Sequence, residues 1–182
     1  MSCCKLGLLT KIFEYKIVPK KNSLLQLTTA LKRQAEAEKI ERILVGAVAI
    51  LNNKILLVRR SKNDDFLPEY MEIPGGKLER EEDILSGAHR ELYEETRLKV
   101  KIIRNYVGSF DAISPDGKSA RQFNFLIEPI NGEVVLSIEH SQYLWWNMED
   151  IKDLNSMQMT EAMKTILQEA VEQIKKLSSP HG

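Results

Sequence analysis

Three glutamates and an arginine stand close together in the stretch Arg90-Glu91-Leu92-Tyr93-Glu94-Glu95. On a helix advancing roughly 100° per residue, positions i, i+3 and i+4 are neighbours, so Glu91, Glu94 and Glu95 fall within an arc of roughly 100°. Carboxylates gathered on one patch repel one another unless a cation sits among them, and hard oxygen donors of this kind select Mg2+ or Mn2+. A Glu-rich helix face is more commonly a solvated surface neutralised by neighbouring Arg and Lys. The context shifts that balance. Pro74-Gly75-Gly76 lies a short way upstream, and glycine lets a backbone approach a ligand closely or offer a carbonyl to a metal. Gly87, one turn before Glu91 on the same arc, is expected to leave room above the patch.

The elements that must position this patch can be read from periodicity. Ile84, Leu85, Ala88 and Leu92 form an apolar stripe, which predicts a helix from about Asp83 to Thr96 with Asp83 as its N-cap. Ahead of it, Arg42 to Leu51 and Lys54 to Arg60 read as strands joined through Asn52-Asn53, a β-hairpin. Strand-like runs follow at Val100 to Phe110, Arg121 to Ile130, Glu133 to Ile138 and Tyr143 to Met148, and an amphipathic helix at Thr160 to Leu177. Near the start, the twenty residues from Ser23 to Arg42 read as a further helix capped by Ser23, expected to pack outside the main domain. Strands on both sides of a central helix, with another helix at the end, predict an α/β fold, a mixed α/β/α sandwich. The expected organisation is an extension at 1–41, a catalytic domain at 42–178 and a flexible tail at 179–182.

Composition narrows the function. The 26 basic and 26 acidic residues cancel, so no overall field draws the chain onto nucleic acid or an anionic membrane. Cys3 and Cys4 are adjacent, which disfavours a structural disulfide and suggests a reducing compartment. No apolar run approaches bilayer length, and Lys5 and Glu14 interrupt the opening residues, so a cytoplasmic protein with no membrane partner is expected.

The segment Gly76 to Leu98 resembles the signature of the Nudix hydrolases, G-x5-E-x7-R-E-U-x-E-E-x-G-U with U a bulky aliphatic residue. Gly76, Glu82, Arg90, Glu91, Leu92, Glu94, Glu95 and Leu98 match eight of its nine specified positions. The ninth, glycine in the family, is Arg97 here, which must take a left-handed conformation at a cost of about 1 kcal/mol. Glu81 likewise stands where many relatives have glycine. The resemblance implies the Nudix α/β/α sandwich with a mixed central sheet and a Mg2+ cofactor, Mn2+ being an alternative. It further implies that Glu94 and Glu95 hold metal with the Gly75 carbonyl. Glu91 would bind or orient a second metal-bound water or act as general base, and Arg90 would hold the glutamates in place. Glu82 would add a ligand or brace the loop. Glu139, six residues before Trp145, fits the further carboxylate that MutT-like relatives draw from outside the signature, while His140 beside it is expected to be no ligand.

The resemblance also implies a small nucleotide-like substrate bearing a diphosphate, with no nucleic acid as partner. Candidate substrate contacts are Arg59, Arg60, Gly76 and Arg121. Phe66, Tyr70, Phe123 and Phe125 could stack a base, and the amides of Asn155 and Gln158 could pair with its edge. The hairpin, the glycine loop and the Glu139 stretch resemble the MutT-like nucleoside triphosphate pyrophosphohydrolases. Pro115 lies seventeen residues beyond Leu98, close to where ADP-ribose hydrolases carry a proline, so hydrolysis of ADP-ribose or a nucleoside diphosphate sugar is the alternative. A nucleotide-sensing module without activity is a third reading. The N-terminal helix is a possible homodimer contact.

Overall fold

Alternation of apolar side chains along the strands supplies two buried faces, and helices cover both. The computed structural model describes residues 21–178, so Cys3, Cys4 and the tail at 179–182 lie outside the described residues. The expected hairpin is present as β1 (Arg42–Leu51) and β2 (Lys54–Arg60), paired at Ile50↔Ile55 and Leu51↔Lys54. Asn52 and Asn53 take φ of 49° and 62°, the doubly left-handed turn whose twist suits a two-residue connection. Next come β3 (Met71–Glu72), β4 (Gly75–Lys77), α2 (Ile84–Thr96), β5 (Val100–Ile113), β6 (Ser119–Pro129) and β7 (His140–Asn147). A kinked 3-10 segment at Met148–Ser156 leads into α3 (Glu161–Ser178), and α1 (Lys21–Ala37) precedes the sheet. The strand order is β3-β2-β1-β6-β5, with β4 added to β1 and β7 to β2. Because β1 and β6 run parallel and the remaining pairs antiparallel, the sheet is mixed, and the α/β/α sandwich is borne out.

Each strand divides its residues between two cores. Val45, Ala47 and Ala49 of β1, with Phe123, Phe125 and Ile127 of β6, meet Ile84, Ala88 and Leu92 of α2. Val48, Ile55, Leu57 and Leu126 point the other way, against Met163, Ile166, Leu167 and Ala170 of α3. Burying a side chain such as Leu92 or Leu167 contributes roughly 1.5–3 kcal/mol, so this two-sided packing holds α2 and α3 more firmly than helix propensity could.

Several expectations need correction. Helix α1 starts at Lys21, which puts Ser23 inside it and not at its cap. It also stops at Ala37, short of Arg42. The chain reverses there through Lys39 at φ 58°, with the Lys39 N–H on the Glu36 carbonyl (3.0 Å) and the Ile40 N–H on the Ala35 carbonyl (2.9 Å). Nor does α1 pack outside the domain. Leu24, Leu31 and Ala35 are buried in the same core as α2, so that face is closed to a partner subunit. The run Glu133 to Ile138 is no strand. Its Val135 and Ser137 N–H groups bond the Thr96 and Glu95 carbonyls (both 2.9 Å), satisfying acceptors that the end of α2 leaves open. The β5–β6 pair extends three residues beyond the expected end of β5, to Ile113, and β7 begins earlier, at His140.

Candidate active site

Helix α2 begins where expected: the Asp83 carboxylate accepts from the Leu85 and Ser86 N–H groups at 3.1 and 3.0 Å. Two turns later Arg90 acts as the hub of the signature. Its Nε and Nη2 donate to the two oxygens of Glu82 (both 2.9 Å), its Nη1 to Glu91 (2.9 Å) and Glu94 (3.0 Å), and its Nη2 also to the Lys77 carbonyl (3.0 Å). These five bonds use the whole donor capacity of a guanidinium. The anions around Arg90, Glu82 foremost, raise its pKa further. The expected Arg90–Glu94 contact is therefore one spoke of a larger clamp. Glu82 is its other pole, braced further by the Glu79 N–H at 3.0 Å and held below the ordinary carboxylate range chiefly by Arg90. With both its oxygens occupied in this way, Glu82 is placed as a brace of the loop.

Beyond the clamp the carboxylates turn inward. Glu95 is 5% exposed, and one of its oxygens accepts the Gly75 N–H at 2.9 Å. Burial first, then the charges of Glu72, Glu91 and Glu139, push its pKa up to about 9 against that hydrogen bond. Burial likewise raises Glu91, with Glu94 and Glu139 adding to the effect and Arg90 opposing it. Glu139 is thus brought into the electrostatic neighbourhood of both. Glu94 stays exposed.

The glycines explain how the loop fits. A Cβ on Gly76 would lie 2.6 Å from a Glu91 carboxylate oxygen, and one on Gly75 would lie 2.3 Å from the Val45 carbonyl oxygen. Both are sites of close approach between loop, strand and helix. Gly87 does not open space as expected: Leu78 and Glu82 fill it, and a Cβ there would lie 2.5 Å from Leu78 Cδ1. Arg97 caps α2 in the left-handed conformation, φ 59° and ψ 9°, with its N–H on the Tyr93 carbonyl and its guanidinium 5.3 Å from the Tyr93 ring centroid. Glu81 is also left-handed at φ 65°, so both places where relatives carry glycine keep the glycine backbone.

Among the described residues, no three His, Cys, Asp or Glu side chains already converge as a metal cage, because Arg90 holds Glu91 and Glu94 while Gly75 holds Glu95. The chemistry of the donors nevertheless fits a hard divalent cation. All are hard oxygens, carboxylates with one backbone carbonyl, and Glu95 is buried among three like charges that a cation would relieve.

The arginines expected at substrate separate sharply. Arg60 is spent on the protein itself, donating to the Phe66 carbonyl (2.8 Å), Glu72 (2.9 Å) and Asp64 (2.6 Å). Arg121 is buried and pinned by Asp111 (2.6 and 2.7 Å) and Glu38 (2.7 Å). Arg59 differs: its Nε is buried without a hydrogen-bond partner. Its strand partner is Met71, whose N–H bonds the Gln158 carbonyl at 2.8 Å, so β3 lies between Arg59 and the segment around Gln158. Phe123 and Phe125 are core residues, at most 1% exposed, and stack on no base, whereas Phe66 is exposed and Tyr70 half-buried. One residue of the site was not anticipated. Glu72, on a two-residue strand inside a polar loop, offers no periodicity to betray it, only its place three residues before Gly75.

Comparison with known proteins agrees with this fold. The NUDIX domain family matches residues 41–169. An m7GpppN-mRNA hydrolase of Xenopus laevis is 32% identical over 83 residues, covering 46% of this chain and only 28% of that relative. An 8-oxo-dGTP diphosphatase of Buchnera aphidicola is 31% identical over 117 residues, 64% of this chain and 85% of the relative. The crystal structure of a MutT protein from Methanosarcina mazei superposes with a TM-score of 0.62 at 24% identity, covering 74% of this chain and 95% of that one. With the signature folded around Arg90 and the family match spanning most of its length, this chain belongs to the Nudix hydrolases, on their MutT-like side.

Proposed function

We propose that the protein hydrolyses a nucleoside triphosphate, an oxidised one included, to a nucleoside monophosphate and pyrophosphate. The observation that carries this reading is the clustering of Glu91 and Glu95, both buried and both raised in pKa by that burial, between a fully engaged Arg90 and Gly75. The relative named as an 8-oxo-dGTP diphosphatase, 31% identical and covered over 85% of its length, supports the choice of substrate.

Glu94, Glu95, Glu139 and the Gly75 carbonyl would hold Mg2+, with Glu91 at its margin. When bound, Mg2+ neutralises phosphate charge and lowers the pKa of a water molecule. Glu91, its own pKa raised by burial, suits the role of general base that takes the water proton. The water oxygen bonds to one phosphorus of the α–β bridge, the bridging P–O bond breaks, and the group on the other side leaves with the bond pair, giving monophosphate and pyrophosphate. Arg90 fixes Glu91 and Glu94 and Gly75 fixes Glu95, so the carboxylates are held before substrate arrives. Arg59 is the arginine available to substrate, and with the Asn155–Met159 loop it would receive the nucleoside end.

Ion-exchange separation of products tests this, with ordinary and oxidised nucleoside triphosphates, ADP-ribose, nucleotide sugars and diadenosine polyphosphates each incubated with Mg2+. The expected result is monophosphate and pyrophosphate from a triphosphate, with kcat falling on the order of 10²–10⁴-fold in Glu91→Gln. Preferential cleavage of ADP-ribose or a nucleotide sugar would overturn the substrate, and ligand-induced stabilisation without product would overturn the activity.

A further inference from the structure

His140 is the residue whose surroundings the reaction leaves unexplained. Its side chain is 2% exposed, its Nδ1 has no hydrogen-bond partner, and its Nε2 lies 3.3 Å from Glu72 Oε1. A carboxylate only accepts, so Nε2 carries a hydrogen toward Glu72, and Nδ1 is left without a partner. Burying a ring nitrogen without a partner costs stability, and the bond to Glu72 is the one that offsets it.

That bond joins two segments that each lead to a carboxylate of the site. On one side Glu72 ends β3, and three residues later the Gly75 N–H holds Glu95. On the other side His140 opens β7, directly after Glu139. Glu72 Oε1 is itself fixed by Arg60 at 2.9 Å, and Arg60 by Asp64 and the Phe66 carbonyl. The backbone around Glu139 is anchored where the β2–β7 register shifts, the Ser61 N–H bonding the Glu139 carbonyl at 2.8 Å.

We propose that His140 is a positioning residue: through its bond to Glu72 it locks the Glu139 turn to the strand that leads into Gly75, and so sets how Glu139 is presented to a divalent cation. The inference rests on the metal role proposed above for Glu139. It requires His140 to act through Glu139 and not through the fold at large.

The test measures binding of Mn2+ alone, without nucleotide, by the loss of the free-ion electron paramagnetic resonance signal. His140→Phe keeps the ring and removes the donor, and His140→Leu serves where the larger ring does not fold; circular dichroism confirms the fold. About tenfold weaker Mn2+ binding is expected, the usual consequence of losing a group that orients a ligand. His140→Gln, whose amide can donate to Glu72, should recover most of it. Adding the substitution to Glu139→Gln should cause no further loss, because both act on one carboxylate. Wild-type affinity in folded His140→Phe or His140→Leu, or losses that simply add in the double variant, would overturn the proposal. Mn2+ binding abolished by Glu95→Gln but indifferent to Glu139→Gln would overturn it while leaving the rest of the proposed metal site standing. A wild-type protein that binds no Mn2+ would remove both.

Discussion

Replacing Glu95 by glutamine should destroy the enzyme and strengthen the protein. In the unfolded chain Glu95 ionises at its ordinary value of 4.5, whereas burial in the folded site, with Glu72, Glu91 and Glu139 around it, holds its pKa at about 9. The folded state therefore binds a proton that the unfolded state has released at every pH between these values. Stability from this group is complete below about pH 4.5 and is lost steadily as pH rises toward 9. At pH 7, about 2.5 pH units above the ordinary value, the loss is at most about 3 kcal/mol. Glutamine is neutral at all pH and still offers an oxygen to the Gly75 N–H, so Glu95→Gln recovers that loss. For a chain of this size the gain corresponds to roughly 6–12 °C in Tm at pH 7, shrinking to nothing near pH 4.5. Thermal unfolding followed by circular dichroism in EDTA at pH 5, 7 and 8.5 measures it. Mg2+ should then raise the Tm of the wild type and not of the variant, narrowing or reversing the order. A gain of equal size at all three pH values, or a variant less stable than wild type at pH 8.5, would refute the reasoning, because either would show that Glu95 carries no burial penalty.

Other substitutions probe other parts of the argument. Arg59→Ala should raise KM for nucleotide with little change in stability, while Arg60→Ala, which breaks the bonds to Asp64, Glu72 and Phe66, should cost about 1–3 kcal/mol by urea denaturation. Arg97→Gly relieves a left-handed arginine and should stabilise by up to about 1 kcal/mol in the same assay, with kcat unchanged. Val135→Pro removes the N–H bonded to the Thr96 carbonyl at an exposed position, and a loss of about 1–3 kcal/mol in the urea midpoint is expected.

What the sequence made legible was whatever depends on neighbours along the chain. The Asn52-Asn53 turn, the Asp83 cap, the stripe on α2 and the left-handed Arg97 are all local, and all appear in the structure as read. Contacts between distant residues were opaque. Arg60 and Arg121 read as cations free for phosphate because Glu72, Asp111 and Glu38 reach them only once β3, β5 and the end of α1 are in place. Glu133 to Ile138 has a strand's composition, yet the acceptors waiting for its N–H groups belong to a helix end. The stop of α1 was missed for another reason: its left-handed residue is Lys39, where glycine would have announced it.

The bond from the Ser137 N–H to the Glu95 carbonyl reaches further than capping a helix. It joins the main chain at one candidate ligand to the main chain two residues before another, Glu139. The gap between those carboxylates is therefore gauged by the backbone, and the tip of the long β5–β6 ribbon at Gly117 hangs outside the gauge. That tip, between Ile113 and Ser119, can lengthen, shorten or change its sequence without respacing the ligands, whereas β6 itself is fixed by its pairing with β1 and by the residues it gives to both cores.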